Sequence, residues 1–87
     1  MKKKSIATEI GLILRQIRID KSLSQEDLAF KCDLYRTYIG SIEKAEKTAT
    51  ILTLEKVVNA LEVSLSDIFK QYEKIKLLIV ITFILHR

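Results

Sequence analysis

Residues 25–44 read QEDLAFKCDLYRTYIGSIEK, and the placement of apolar residues in this stretch decides the fold. Ser24 stands before Gln25, Glu26 and Asp27, where a hydroxyl caps free backbone amides and acidic groups meet the positive end of the helix dipole. A helix therefore begins at Gln25. It carries Leu28, Ala29 and Cys32 inward and stops near Asp33, after which Ile39 and Ile42 mark the buried side of a second short helix. Two short helices joined by a tight turn, the second with a polar outer face, form a helix-turn-helix, whose second helix enters the DNA major groove. Leu28, Cys32, Leu34, Ile39 and Ile42 supply the apolar positions that hold such a unit together, and Ala29 is small where its helices cross.

Toward the amino end, Ile6, Ile10, Ile13, Leu14 and Ile17 lay a 3.6-residue stripe along a preceding helix over about 5–21. On the other side KAEKTATILT, residues 44–53, is a polar connection with Thr53 capping the next helix. Leu54, Val57, Val58 and Leu61 give that helix its apolar face. Ser64 or Ser66 opens a fifth with Leu65, Ile68, Phe69 and Tyr72 on one side. After Lys76 the pattern changes, because LLIVITFIL (residues 77–85) is apolar on every side except Thr82. The fold class is all-α: a compact five-helix domain over residues 1–76, then an apolar extension over 77–87.

The chain's 87 residues permit one small core and no cleft between domains. Two glycines and no proline argue against a loop-rich β module, and 48% hydrophobic content argues against a disordered tail. A formal charge of +4 suits a polyanionic partner without proving one. Cys32 has no cysteine to pair with and His86 lies far from it, so neither a disulfide nor a metal site is expected, and no cofactor is implied. Ser5, Ser22, Ser24, Ser41, Ser64 and Ser66 have no neighbouring histidine base, so an enzyme is not expected. Glu9 and Arg15 interrupt the apolar run that a signal peptide needs, which points to a cytoplasmic protein.

At this point the residues resemble a known family. LSQEDLA, RTYIGSIEK and LTLEKVVNALEVSLSDIF, within Glu9 to Tyr72, resemble the phage-repressor-like helix-turn-helix regulators typified by lambda repressor and Cro. CDLYRTYIGSIEK is most similar to the controller proteins of type II restriction-modification systems. The resemblance implies five helices in one domain, dimerisation through the last helix over about 65–73, and binding of operator half-sites on double-stranded DNA. It also implies a dual switch in which one dimer recruits RNA polymerase and a second occupies a weaker site. Three positions depart from the family pattern: Asp33 and Ala45 stand where glycine is common, and Ala49 where proline often precedes the fourth helix.

With Ile39 and Ile42 inward, 100° per residue turns Thr37, Gly40, Ser41 and Lys44 outward, with Arg36 beside them at the end that enters the groove first. Arg36 can donate to O6 and N7 of guanine, Thr37 and Ser41 can meet base edges, and Gly40 leaves room for close approach. The alternative for Arg36 is a solvated side chain or a partner for Asp33. Gln25, beside free amides, is placed for a phosphate, and Lys44, Lys47, Thr48 and Thr50 can track one strand. Tyr38 has two readings, core packing or a hydroxyl on the phosphate backbone. Lys2, Lys3 and Lys4 are a tail that can add nonspecific attraction. Glu43 reads as structural, paired with Arg15 or Arg18, and Cys32 as a core residue.

Because the first four helices already fill one core, Leu65, Ile68, Phe69 and Tyr72 are expected at a homodimer interface. The extension spans about 14 Å as a helix, well short of a bilayer's roughly 30 Å, so it does not cross a membrane. Its residue types favour strand, but nothing separates it from the fifth helix, and helix is the expectation. Other functional classes remain open: a phage-type repressor, an antitoxin-like module gripping a partner with the tail, or a peripheral membrane protein, the last disfavoured by a tail with no polar face.

Overall fold

The computed structural model describes residues 5–86, and the lysines at 2, 3 and 4 fall outside them. Five helices follow in order: α1 (Ile6–Asp20), α2 (Gln25–Cys32), α3 (Arg36–Glu43), α4 (Ile51–Ala60) and α5 (Leu65–Leu85). No strand occurs among the described residues. Four of the helices start on a hydroxyl. Ser5, Ser24, Thr50 and Ser64 each accept a hydrogen bond from the backbone amide three residues on, and Ser24–Asp27 and Ser64–Asp67 close reciprocal capping boxes.

The first four helices end alike, and without glycine. Ser22, Asp33, Ala45 and Glu62 all have φ between 56° and 60°, and the amide after each donates to the carbonyl five residues back: Leu23 to Arg18, Leu34 to Ala29, Glu46 to Ser41, Val63 to Val58. This is the Schellman ending, in which a left-handed residue turns the chain and the next packs back on the helix. Leu23, Leu34 and Val63 do pack against the core. Asp33, where the family pattern has glycine, takes the left-handed conformation with φ 56° and ψ 48°.

The core is one cluster fed by all five helices, with Leu14, Leu28, Ile39, Val58, Leu61 and Ile68 its most enclosed side chains. Three sequence expectations change here. Ile68 is 0% exposed within a single chain, so it closes this core and is withdrawn from any surface offered to a second chain. Helix α4 begins at Ile51 on a Thr50 cap, and Thr53 is its third residue, whose amide Thr50 receives. The fifth helix does not finish near residue 73. It runs unbroken through Leu77 to Leu85, because nothing in that stretch stops a helix and its side chains lie outside the core. Of the other expected interface residues, Leu65 and Tyr72 are half-buried against the core and Phe69 is 38% exposed.

Among the described residues no helix is long and apolar enough to cross a membrane, and no group of three or more His, Cys, Asp or Glu could hold a metal ion. Cys32 is buried, its thiol donating to the Leu28 carbonyl at 3.1 Å. Burial pushes that thiol above its ordinary value, as fits a small core residue.

Candidate nucleic-acid interface

Helix α3 is held from behind and open in front. Its inner face is Ile39, Ile42 and Glu43, all buried. Arg36 and Thr37, in its first turn, are exposed. Its N-cap is Tyr35, and unlike the caps of the other four helices Tyr35 makes no side-chain hydrogen bond to the helix. The first amides of α3 are therefore left to water or to an acceptor brought from outside, at the helix end where the dipole favours negative charge.

Behind the helix, one carboxylate gathers three elements. Glu43 accepts from Arg18 through Nε at 2.6 Å and Nη2 at 3.0 Å, and from Gln25 Nε2 at 3.0 Å. Arg18 also donates through Nη1 to the Leu23 carbonyl at 2.7 Å. The expected partner for Glu43 is thus Arg18, with Arg15 exposed. Gln25 turns its carboxamide NH2 inward to Glu43, and beside it Ser24 and Asp27 cap each other at the start of α2.

Gly40 is half-buried and faces this same carboxamide, since a Cβ built there would lie 3.6 Å from Gln25 Oε1. The side chain of Gln25 thus borders Gly40 at ordinary contact distance. Gly11, by contrast, is a contact the sequence reading missed. A Cβ at Gly11 would come within 2.6 Å of the Ile42 carbonyl oxygen and 2.8 Å of that of Glu43, so α1 crosses the end of α3 backbone to backbone. The available signal was a glycine inside an apolar helical stripe, where it lowers helix propensity without evident return.

In front, Tyr35, Thr37, Tyr38, Ser41 and Lys47 line an open cleft of about 450 Å³. Tyr38 is half-buried and carries the Lys47 ammonium 5.9 Å from its ring centroid, within range of a cation–π attraction. Ser41 donates to the Thr37 carbonyl at 3.0 Å, so its hydroxyl keeps only acceptor capacity toward a base. Lys44 and Thr48 are exposed. Thr50 is spent otherwise: its hydroxyl caps α4 and shares a hydrogen bond with Thr53. Tyr35, 82% exposed, was not singled out from the sequence; an aromatic where a capping residue is the norm was the sign of it.

A family model described as Helix-turn-helix matches residues 14–68. The control protein C.BamHI of Bacillus amyloliquefaciens is 48% identical over 59 residues, covering 67% of this chain and 73% of that protein. C.MunI of a Mycoplasma species is 39% identical over 70 residues, covering 79% of this chain and 95% of that one. The chain belongs to the helix-turn-helix family of controller proteins.

The fold agrees with solved members of that family. The restriction-modification controller protein C.Esp1396I, as a tetramer in complex with its natural 35 base-pair operator, superposes with a TM-score of 0.76 at 36% identity over 83% of this chain and 95% of that one. The resemblance read from CDLYRTYIGSIEK is therefore borne out, and the chain is a helix-turn-helix regulator of the DNA-binding class. Its departures from the family pattern cost nothing in topology. Asp33 and Ala45 adopt the left-handed conformation without glycine, and α4 starts after Ala49 without proline.

Proposed function

We propose that this chain is the controller of a restriction-modification operon, binding operator half-sites as a two-fold dimer. The observation that carries this reading is the polarity of α3: locked to α1 and α2 through Glu43, and presenting Arg36 and Thr37 from an uncapped amino end. A helix so held can enter a major groove without rearranging, and groove entry by the first turn puts an arginine where guanine offers two acceptors. Arg36 and Thr37 take base contacts, with Ser41 as an acceptor. Lys47, Lys44, Thr48 and the hydroxyls of Tyr35 and Tyr38 take the phosphates flanking them. Phe69 with Tyr72 and Leu65 is the dimer face on α5, Ile68 being reserved for the core. Contact with RNA polymerase and a cytoplasmic location belong to the same reading.

The test is fluorescence anisotropy with the DNA immediately upstream of this chain's own gene and with a scrambled duplex of equal length. Specific binding by a dimer, with two footprints about 34 Å apart along the duplex, is expected. Equal affinity for both duplexes, or binding by a monomer, overturns the proposal.

A further inference from the structure

The last nine residues of α5 have no place in the reading above. From Leu77 to Leu85 every residue but Thr82 is apolar, and Leu77, Leu78, Ile79, Val80, Ile81, Phe83, Ile84 and Leu85 are all exposed. The one hydroxyl is satisfied inside the helix, Thr82 Oγ1 donating to the Leu78 carbonyl at 2.8 Å. This segment lies beyond residue 68, where the family match ends. The molecule measures 47 Å along its longest axis against 26 and 23 Å across. Ile75 is the last α5 residue packed against the core, so the segment beyond it gains no cover from its own chain.

We propose that Leu77–Leu85 is a self-association helix, covered in solution by the same segment of other copies of this chain. The first argument is area. From their fractional exposures, the eight side chains leave on the order of 900 Å² open, above the roughly 300–600 Å² of the largest apolar patch on most monomers. It is close to the roughly 800 Å² that each partner brings to a standard interface. The second argument is charge. Between Lys76 and His86 there is no ionisable side chain, so identical segments meet with no like-charge repulsion and no desolvated charge.

The third argument is shape. A surface-lying membrane helix needs a polar face opposite its apolar one, and Leu78 and Ile81 on one side with Ile79 and Phe83 on another leave none. A helix apolar all round is a helix buried all round, and the same segment from more than one copy supplies that cover. The groove along Ile75, Leu78, Ile79 and Thr82 gives a neighbouring helix its first seat, on the line that leads back to Tyr72.

Sedimentation velocity on the full chain tests this, with two double variants that place charge on different sides of the helix, Leu78→Glu with Ile81→Glu, and Ile79→Glu with Phe83→Glu. The unaltered chain should assemble at micromolar concentration. Each double variant should shift the dissociation midpoint roughly tenfold or more toward higher concentration, because charge would enter an apolar contact. The altered residues lie outside the core, so an unchanged thermal midpoint of the body shows that folding is intact. Assembly unaffected by both pairs places self-association elsewhere and overturns the proposal, as does a monomeric unaltered chain. Co-sedimentation with phosphatidylglycerol and phosphatidylcholine vesicles, abolished by the same variants, overturns it in favour of lipid. The DNA reading is separable, since Arg36→Ala should lower operator affinity and leave sedimentation unchanged.

Discussion

Arg18 and Glu43, 25 positions apart in the chain, meet in a buried two-pronged ion pair whose shorter arm is 2.6 Å. The pair joins the end of α1 to the end of the recognition helix, and Gln25 of α2 joins it as a third member. Removing one partner leaves the other charge buried without compensation. Glu43→Ala should therefore cost about 3–5 kcal/mol in urea denaturation, while replacing both charges by Arg18→Met with Glu43→Leu should be close to neutral or stabilising. A loss below about 1 kcal/mol for Glu43→Ala would show that water reaches the site.

The two glycines should respond in opposite directions. At Gly11 a methyl meets two carbonyl oxygens at 2.6 and 2.8 Å, backbone atoms that cannot swing aside. Gly11→Ala should destabilise by roughly 1–3 kcal/mol or more through forced separation of α1 from α3. At Gly40 the nearest atom is the end of a glutamine at 3.6 Å, ordinary contact, so Gly40→Ala should stabilise folding by up to about 1 kcal/mol through helix propensity. Thermal unfolding of the two variants side by side decides the matter.

How much of this was legible in the sequence follows from what each feature depends on. Periodicity placed Leu28, Ala29, Cys32, Ile39 and Ile42 inside because burial on a short helix depends on local spacing alone, and all five are buried. Ile68 was misplaced for the converse reason. Its spacing shows that it faces inward on α5 but not whether the cover comes from its own chain, and here the body closes over it. The cap of α4 falls at Thr50 and not at the expected Thr53, because a second threonine three residues earlier offers the same hydroxyl and the local sequence does not separate the two. The Gln25–Glu43 hydrogen bond was not legible because nothing local announces Glu43, 18 residues away, as its acceptor.

The helix endings carry a third consequence for stability. Ala45 and Glu62 hold φ of 58° and 60° with side chains that disfavour that region, a cost of roughly 1–2 kcal/mol each. Ala45→Gly and Glu62→Gly should each stabilise the chain by about 1 kcal/mol, less than the full strain because glycine loses more entropy on folding. The sites lie in separate turns with different hydrogen-bond partners, so the double variant should be nearly additive in denaturant midpoint. Destabilisation by either glycine would mean that the left-handed strain is offset by side-chain contacts.

Acid should act through the capping boxes. The Ser24 amide, then its hydroxyl, holds the Asp27 carboxyl below its usual value of 3.8, and the Ser64 amide and hydroxyl do the same for Asp67. A carboxylate whose value falls on folding stabilises the fold above its unfolded value, and that contribution is lost as pH drops through the folded one. The Asp27→Asn, Asp67→Asn double variant should therefore melt below the unaltered chain at neutral pH. The gap should close progressively over the acid range below the usual value of 3.8. A gap that stays constant over that range would assign the effect to shape alone.

The sharpest test of the interface compares Arg36 with Lys47, because each substitution removes one positive charge from the same face. Arg36 stands free at the open end of α3, and Lys47 rests over the Tyr38 ring at the rim of the cleft. Arg36→Ala should cost roughly 1–3 kcal/mol on operator DNA, much less on scrambled DNA, and relax the preferred base at one or two positions per half-site. Lys47→Ala should weaken both duplexes alike and reduce the slope of log affinity against log salt by about 1, since a phosphate contact releases a counterion without reading a base. Tyr38→Phe should keep the lysine in place and Tyr38→Leu should release it, so only the second should reproduce part of the Lys47→Ala salt slope. If Arg36→Ala instead lowers both affinities by one factor, Arg36 is a phosphate clamp. Base reading would then fall to Thr37 and Ser41, or to the bending preference of the operator.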